Sequence, residues 1–323
     1  MITVKRITIL AVFLLVIGII GMAATFSTYK ESASYEETES IPFDANELEE
    51  IEVDAKNTQI RLHPANGEEP RAEYTATGRK TETQELDTSN DGEKLGIQIE
   101  ENFFPFFHVD FMFQSHATLD IFIPANMMEK IHVQTTNSKI TASDLQINEL
   151  QLHTSNGRIE GENLETPSLH VQSSNGRIVL NDVQGDVYGK SSNSRIMLEN
   201  IIGQVTAHTS NGKIELNSIE GDTTAETTNG KVEAQHISGE MNAKTNNAAI
   251  NIETVDFNYP MDLQTSNGKI TIISEQEPEN ATFDLRTNNG TIRVFDSKEW
   301  DITYGNGDTL IKAHTSNGGI TIE

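Results

Sequence analysis

Apolar and polar residues alternate over much of this chain in short runs, and the runs are punctuated by a recurring phrase built on asparagine, most fully Thr-Ser-Asn-Gly-Lys-Ile. Its asparagine falls at Asn57, Asn137, Asn156, Asn175, Asn193, Asn211, Asn229, Asn247, Asn267, Asn289 and Asn317. From Asn137 to Asn247 successive copies are 19, 19, 18, 18, 18 and 18 residues apart. Counted from the asparagine, positions −6, −4 and −2 and then +3, +5 and +8 are apolar or small; around Asn211 they are Val205, Ala207, Thr209, Ile214, Leu216 and Ile219. A spacing of two puts such side chains on one face of an extended strand. Each unit therefore predicts two short strands joined by an asparagine turn, each with one buried face. Gly185-Asp186, Gly203-Gln204, Gly221-Asp222 and Gly239-Glu240 mark a second turn. A fixed period of this length means stacked units rather than a core closed by distant contacts.

Two folds fit the pattern. Asn-Gly between alternating strands is a strong hairpin signal and would give an antiparallel meander. Yet the residue after the asparagine is Ser138, Ser194 and Ala248 in three units, where a type I′ turn wants positive φ. An asparagine that stays when its glycine is replaced points to use of the amide itself, stacked on the same amide in neighbouring units as in the inner ladders of parallel coils. A coil also encloses its own apolar residues, whereas a meander needs a second layer. The expected fold is therefore all-β, a right-handed parallel β-solenoid with two short strands in each rung of 18–20 residues. The antiparallel meander is the alternative. The asparagines from Asn137 to Asn317 would form a structural ladder, and about ten rungs at about 4.8 Å would make a rod about 50 Å long.

Composition narrows the setting. The 323 residues include no cysteine and carry 49 acidic against 23 basic side chains, a net charge of −26. No disulfide, thiolate metal site or cysteine nucleophile can form. Residues 7–26 are an uncharged, mostly apolar run long enough to cross a bilayer as a helix, with Lys5 and Arg6 before it and a Glu-rich stretch after it. By the charge asymmetry, 1–6 is a cytoplasmic tail, 7–26 a transmembrane anchor, and the bulk of the chain is extracytoplasmic. A cleaved signal peptide, with Gly21-Met22-Ala23 as the processing site, is the alternative. An extracytoplasmic chain without cysteine fits a bacterial envelope. Residues 27–45 read as an acidic tether, 46–130 as a β-rich N-terminal capping module with strands near 71–77, 94–100 and 117–124 and a charged loop over 79–93, and 131–323 as the repeats.

The N-terminal span, the strand Leu119-Asp120-Ile121-Phe122-Ile123-Pro124 ahead of the repeats, and the serial Ser-Asn-Gly-Lys/Arg-Ile units together resemble the bacterial putative-adhesin β-strand-repeat family of unknown function, and within it the LiaG-like membrane proteins. The resemblance covers nearly the whole chain. It implies an envelope role, since LiaG-like proteins are encoded beside a two-component system that senses envelope stress. It supplies no catalytic residues.

Two surface features are candidate sites. Position +2 holds Lys139, Arg158, Arg177, Arg195, Lys213 and Lys231 in six successive units. Stacked, they form a basic stripe that either binds an anionic cell-wall polymer or is neutralised by Glu160, Glu215 and Glu233, two residues further on the same face. The second feature is an aromatic loop with Phe103, Phe104, Phe106, Phe107, Phe111 and Phe113, which either caps the open end of the core or meets the membrane or a partner membrane protein. Nucleic acid does not suit so acidic a chain without stacking aromatics among its basic residues. Asp182, Asp186, Asp222 and Asp256 fall in turns without one register common to all four, the nine histidines form no metal-binding spacing, and no phosphate-binding or nucleophile motif is present. The expected function is that of a membrane-anchored, non-enzymatic binding or scaffold protein of the cell envelope, without cofactor or metal. An adhesin-like protein for an external ligand and a polysaccharide lyase or hydrolase are the alternatives.

Overall fold

The computed structural model describes residues 11–22, 35–44, 48–78, 84–101, 116–124, 128–295, 297, 299 and 301–323. Residues 11–22 form a helix with exposed side chains, and among the described residues no helix is long and apolar enough to cross a membrane. This helix is shorter than the span expected over 7–26, whose two ends lie outside the described residues.

The rest of the described chain is strand and turn. In a central unit, Val205–Thr209 leads into the asparagine turn and Ile214–Glu220 leads out of it. Each strand pairs in parallel with its counterpart one unit away, Val205 opposite Val187 and Thr223, and Ile214 opposite Ile196 and Val232. That register brings equivalent residues of successive units side by side and excludes the meander for the repeats. Inward positions form an unbroken apolar column: Val205, Ala207, Ile214, Leu216 and Ile219 are each no more than 2% exposed. One coil has few neighbours of its own, so burial is completed only by the coils above and below it.

The buried Thr or Ser at −2 holds the turn. Thr227 Oγ1 accepts from the Gly230 N–H at 3.1 Å and donates to the Gly212 carbonyl of the neighbouring rung at 3.3 Å. The same pair of bonds recurs at Ser173, Thr209 and Thr315. Close approach explains the glycine at +1, because a Cβ built on Gly230 would lie 1.6 Å from the Gly212 carbonyl oxygen. The asparagine itself is exposed at the corner, so the ladder runs along the outside of the stack and not within it. Its amides still form an unbroken chain: each Nδ2 donates to the Oδ1 of the rung before at 2.6–2.9 Å, from Asn137 on Asn57 through to Asn289 on Asn317.

A second corner lies at +7, where Asp144, Asn163, Asp182, Asn200, Ser218 and His236 all have φ between 51° and 57°. Short polar side chains tolerate that left-handed conformation best. In the first units the strand runs through this corner, as Ile140–Thr154, Ile159–Ser173 and Ile178–Ser191, so the turn expected at Gly185-Asp186 lies inside a strand.

Order in space departs from order in sequence at both ends. Glu50–Ala55 and Thr58–Pro64, the unit of Asn57, sit between the rung of Asn137 and an outer rung made by Lys94–Glu101 and His116–Ile123. Antiparallel strands cover that outer rung: Gln84–Asn90 on one side, Arg71–Gly78 and then Tyr35–Pro42 on the other. The expected tether and charged loop thus each contribute a strand to the cap. At the far end the rung of Asn317 lies between those of Asn267 and Asn289, with Ile311 opposite both Met261 and Phe283. Asp301–Thr303 covers this end antiparallel to Ala281–Thr287, beside edge-to-face contacts of Phe283 with Phe257 and Tyr304. These polar covering strands replace the apolar rungs as the edges of the stack, which discourages strand addition at its termini.

Candidate functional site

The second strand of each rung leaves the turn with the +2 side chain outward and the +4 side chain outward beside it. The six cations of the stripe therefore share a face with Glu160, Glu215 and Glu233. Glu160 lies 2.5 Å from Lys139 and 2.9 Å from Arg158; Glu215 pairs with Lys213 and lies 3.3 Å from Arg195; Glu233 lies 2.5 Å from both Lys213 and Lys231. Burial pushes the Glu160 carboxyl up, but hydrogen bonds from Lys139 and Arg158 outweigh it and hold the group below the usual carboxylate range. Glu233 is held down in the same way by Lys213 and Lys231. Arg177 differs, because the +4 residues of its own and the next rung are Val179 and Met197, whereas each of the other five cations has a glutamate at +4 in its own rung or the next. Among the described residues it has no ion-pair partner. The stripe is thus a lattice of alternating charge interrupted at one arginine, not a bare row of cations.

The aromatic residues from Phe103 to Phe113 lie outside the described residues. The turn acids have structural work: Asp182 Oδ1 accepts from Asn200, Asp186 Oδ1 from the Gln204 N–H, and Asp222 Oδ1 from the Glu240 N–H. Near the N-terminal cap, Asp120 binds both Arg61 at 2.5 Å and His63 at 3.0 Å at the edge of an open hollow.

A third feature was not legible along any single column. On the outward face of the first-half strands, position −5 carries His132, Gln151, His170 and Tyr188 in four consecutive rungs, and position −3 carries Gln134, His153, Gln172, Lys190 and His208. Both positions share the outward parity of one strand, so two columns that look unrelated in the sequence form one patch. Their rings adjoin: Tyr188 lies 5.5 Å from His170 and 5.9 Å from His208 between centroids. His132 Nδ1 is 2.9 Å from Gln151 Oε1. Much of the patch lines an open groove of about 270 Å³. Burial, with His132 nearby, pushes the His153 imidazole below its ordinary pKa and favours its neutral form. Among the described residues no group of three or more His, Asp or Glu side chains is placed to hold a metal ion. Reading both outward columns together would have found the patch.

Residues 48–323 match the family model described as Toastrack DUF4097. The chain belongs to this family. Its toastrack region is thus most of the sequence, from just before the unit of Asn57 through the rung of Asn317. Similar solved structures include a putative cell adhesion protein from Clostridium sporogenes, 10% identical, covering 89% of this chain and 99% of that one with a TM-score of 0.26. A putative adhesin from Bacteroides fragilis is 12% identical, with 90% and 97% covered and a TM-score of 0.32. A putative lipid binding protein from Parabacteroides distasonis is 13% identical, with 89% and 96% covered and a TM-score of 0.30. Superpositions this loose carry no weight for what this toastrack chain binds. No curated protein matches it.

Proposed function

We propose that this chain is a non-enzymatic binding or scaffold protein of the bacterial cell envelope, held to the membrane by its N-terminal segment, with the toastrack region outside the cell and a role in the envelope-stress response that the LiaG-like resemblance implies. The reading is a solenoid whose long outward faces, not a cleft, are the working surface. One observation carries it: an unbroken run of in-register rungs, tied by the asparagine amides, presents continuous columns of polar side chains along its length. Such a surface suits an extended ligand or a partner lying along it. In support, Asp182, Asp186 and Asp222 are engaged in turn hydrogen bonds and Glu160 in ion pairs.

Protease added to intact cells tests the topology. Shaving of the toastrack region without lysis is expected, and protection until lysis would overturn the extracytoplasmic reading. Incubating the protein with envelope glycans should yield no new reducing ends; their appearance would revive the enzyme alternative. Photocrosslinking from outward positions in living cells should capture an envelope component along the face.

A further inference from the structure

We propose that the outward face running from His132 to His208 binds an uncharged glycan strand laid along the axis of the stack. This deepens the envelope-binding reading and rests on it.

The chemistry of the face selects the ligand. Where it lines the groove, its outward side chains are planar rings and primary amides, with Lys190 at the edge. Tyr188 stands between His170 and His208, at 5.5 Å and 5.9 Å between ring centroids, and Gln151 lies in register between His132 and His170. A sugar ring offers an apolar face to such rings and a rim of hydroxyls to amides, which both donate and accept. The groove is open and crosses successive rungs, so an occupant extends along the rod instead of entering it. Beside it the −1 column supplies further hydroxyls, at Thr136, Ser155, Ser174, Ser192 and Ser210.

Other ligands fit less well. The groove is lined by no lysine, arginine or carboxylate, and the chain has a net charge of −26, so a polyanion gains little there and is repelled at long range. Lys190 lies at its edge, Glu52 and Asp54 border it at the cap end, Lys130 and Glu149 flank it, and Glu226 lies beyond His208. A peptide adding as a strand needs a free sheet edge, and both edges of every strand in this patch are already paired.

The test uses the full-length protein in detergent and two probes, cell-wall sacculi chemically stripped of anionic polymer and the same sacculi unstripped. The main variant is His170→Thr with Tyr188→Thr, which copies Thr206 and Thr224 of the same column and so keeps the strand. A second, His153→Gln, copies Gln134 and Gln172 on either side of it. Val179→Thr, which copies Thr141 of its own column on the second strand of the rung, is the control. Wild type and the control should cosediment with stripped sacculi, while the double variant binds about tenfold more weakly at unchanged thermal stability. Equal binding by wild type and both patch variants would overturn the proposal. Binding by wild type to unstripped sacculi alone would also overturn it while leaving the envelope-binding reading intact, and binding to neither would remove the cell wall as a ligand altogether.

Discussion

Replacing Thr227 by valine removes one hydroxyl and keeps the side-chain shape. Thr227 is 7% exposed, and its Oγ1 serves two buried backbone groups, accepting from the Gly230 N–H at 3.1 Å and donating to the Gly212 carbonyl at 3.3 Å. Neither group has room for water, since the turn glycines are packed against one another. Leaving a buried polar group unsatisfied costs about 1–3 kcal/mol, and two are exposed to that penalty here. Valine recovers part of it, because a methyl is easier to bury than a hydroxyl and a β-branched residue suits a strand. A net loss of about 2–3 kcal/mol is expected. The loss is local, so hydrogen exchange read at the Gly230 amide is the direct assay, and about 2 kcal/mol corresponds to about thirtyfold faster exchange. Thr228→Val, one residue on and exposed, is the control and should leave that amide unchanged. If the Gly230 amide in Thr227→Val exchanges at the wild-type rate and the protein melts as before, the hydroxyl does not hold the turn.

Leu216→Ala should cost about 2–5 kcal/mol by opening a cavity in the apolar column, measured by denaturant unfolding; a change below about 1 kcal/mol would mean the rungs collapse to fill it. Asn211→Asp should destabilise more than Asn211→Ala near neutral pH, because a carboxylate cannot donate to Asn193 and instead faces its Oδ1; the difference between the variants should close in acid as the carboxyl takes up a proton. Glu233 has a folded pKa below its ordinary 4.5, so its stabilising effect is complete above that value and disappears as pH falls through the lowered one. The wild type should therefore exceed Glu233→Gln in thermal stability near neutral pH, lose the advantage in acid, and lose most of it in high salt; an advantage indifferent to pH and salt would refute the ion-pair account.

Much of this architecture was readable because a period of eighteen imposes the same demand on every rung. Val205, Ala207, Ile214 and Leu216 declare the inward face by alternation alone, and the persistence of Asn193 beside Ser194 signalled that its amide is used in the ladder. Its placement was misjudged: the −2 hydroxyl, not the asparagine, is the buried group, because the turn needs an acceptor for its own N–H before it can stack. The left-handed corner at Asp144, Asn163 and Asp182 went unread since its residue types vary, sharing only short polar side chains and a backbone conformation. The strand at Gln84–Asn90 looked like a charged loop because its residues are polar and it only covers an edge. The partners of the basic column could be named in advance from Glu160, Glu215 and Glu233 at +4. The histidine and tyrosine patch could not be seen one column at a time, for it exists only when −5 and −3 are taken as one surface.

The interchange of rungs at the two ends has a bearing on how such a molecule can grow. Each terminus is sealed by a segment that doubles back past its neighbour, the unit of Asn57 inside one end and that of Asn317 inside the other. Splicing another copy of the period between Asn193 and Asn247 would push these seals apart by about 4.8 Å and disturb neither. The length of the rod thus becomes a quantity that unequal recombination within the tandem middle can adjust in fixed increments, while shortening from either side removes a seal and uncovers strands inclined to pair with another molecule.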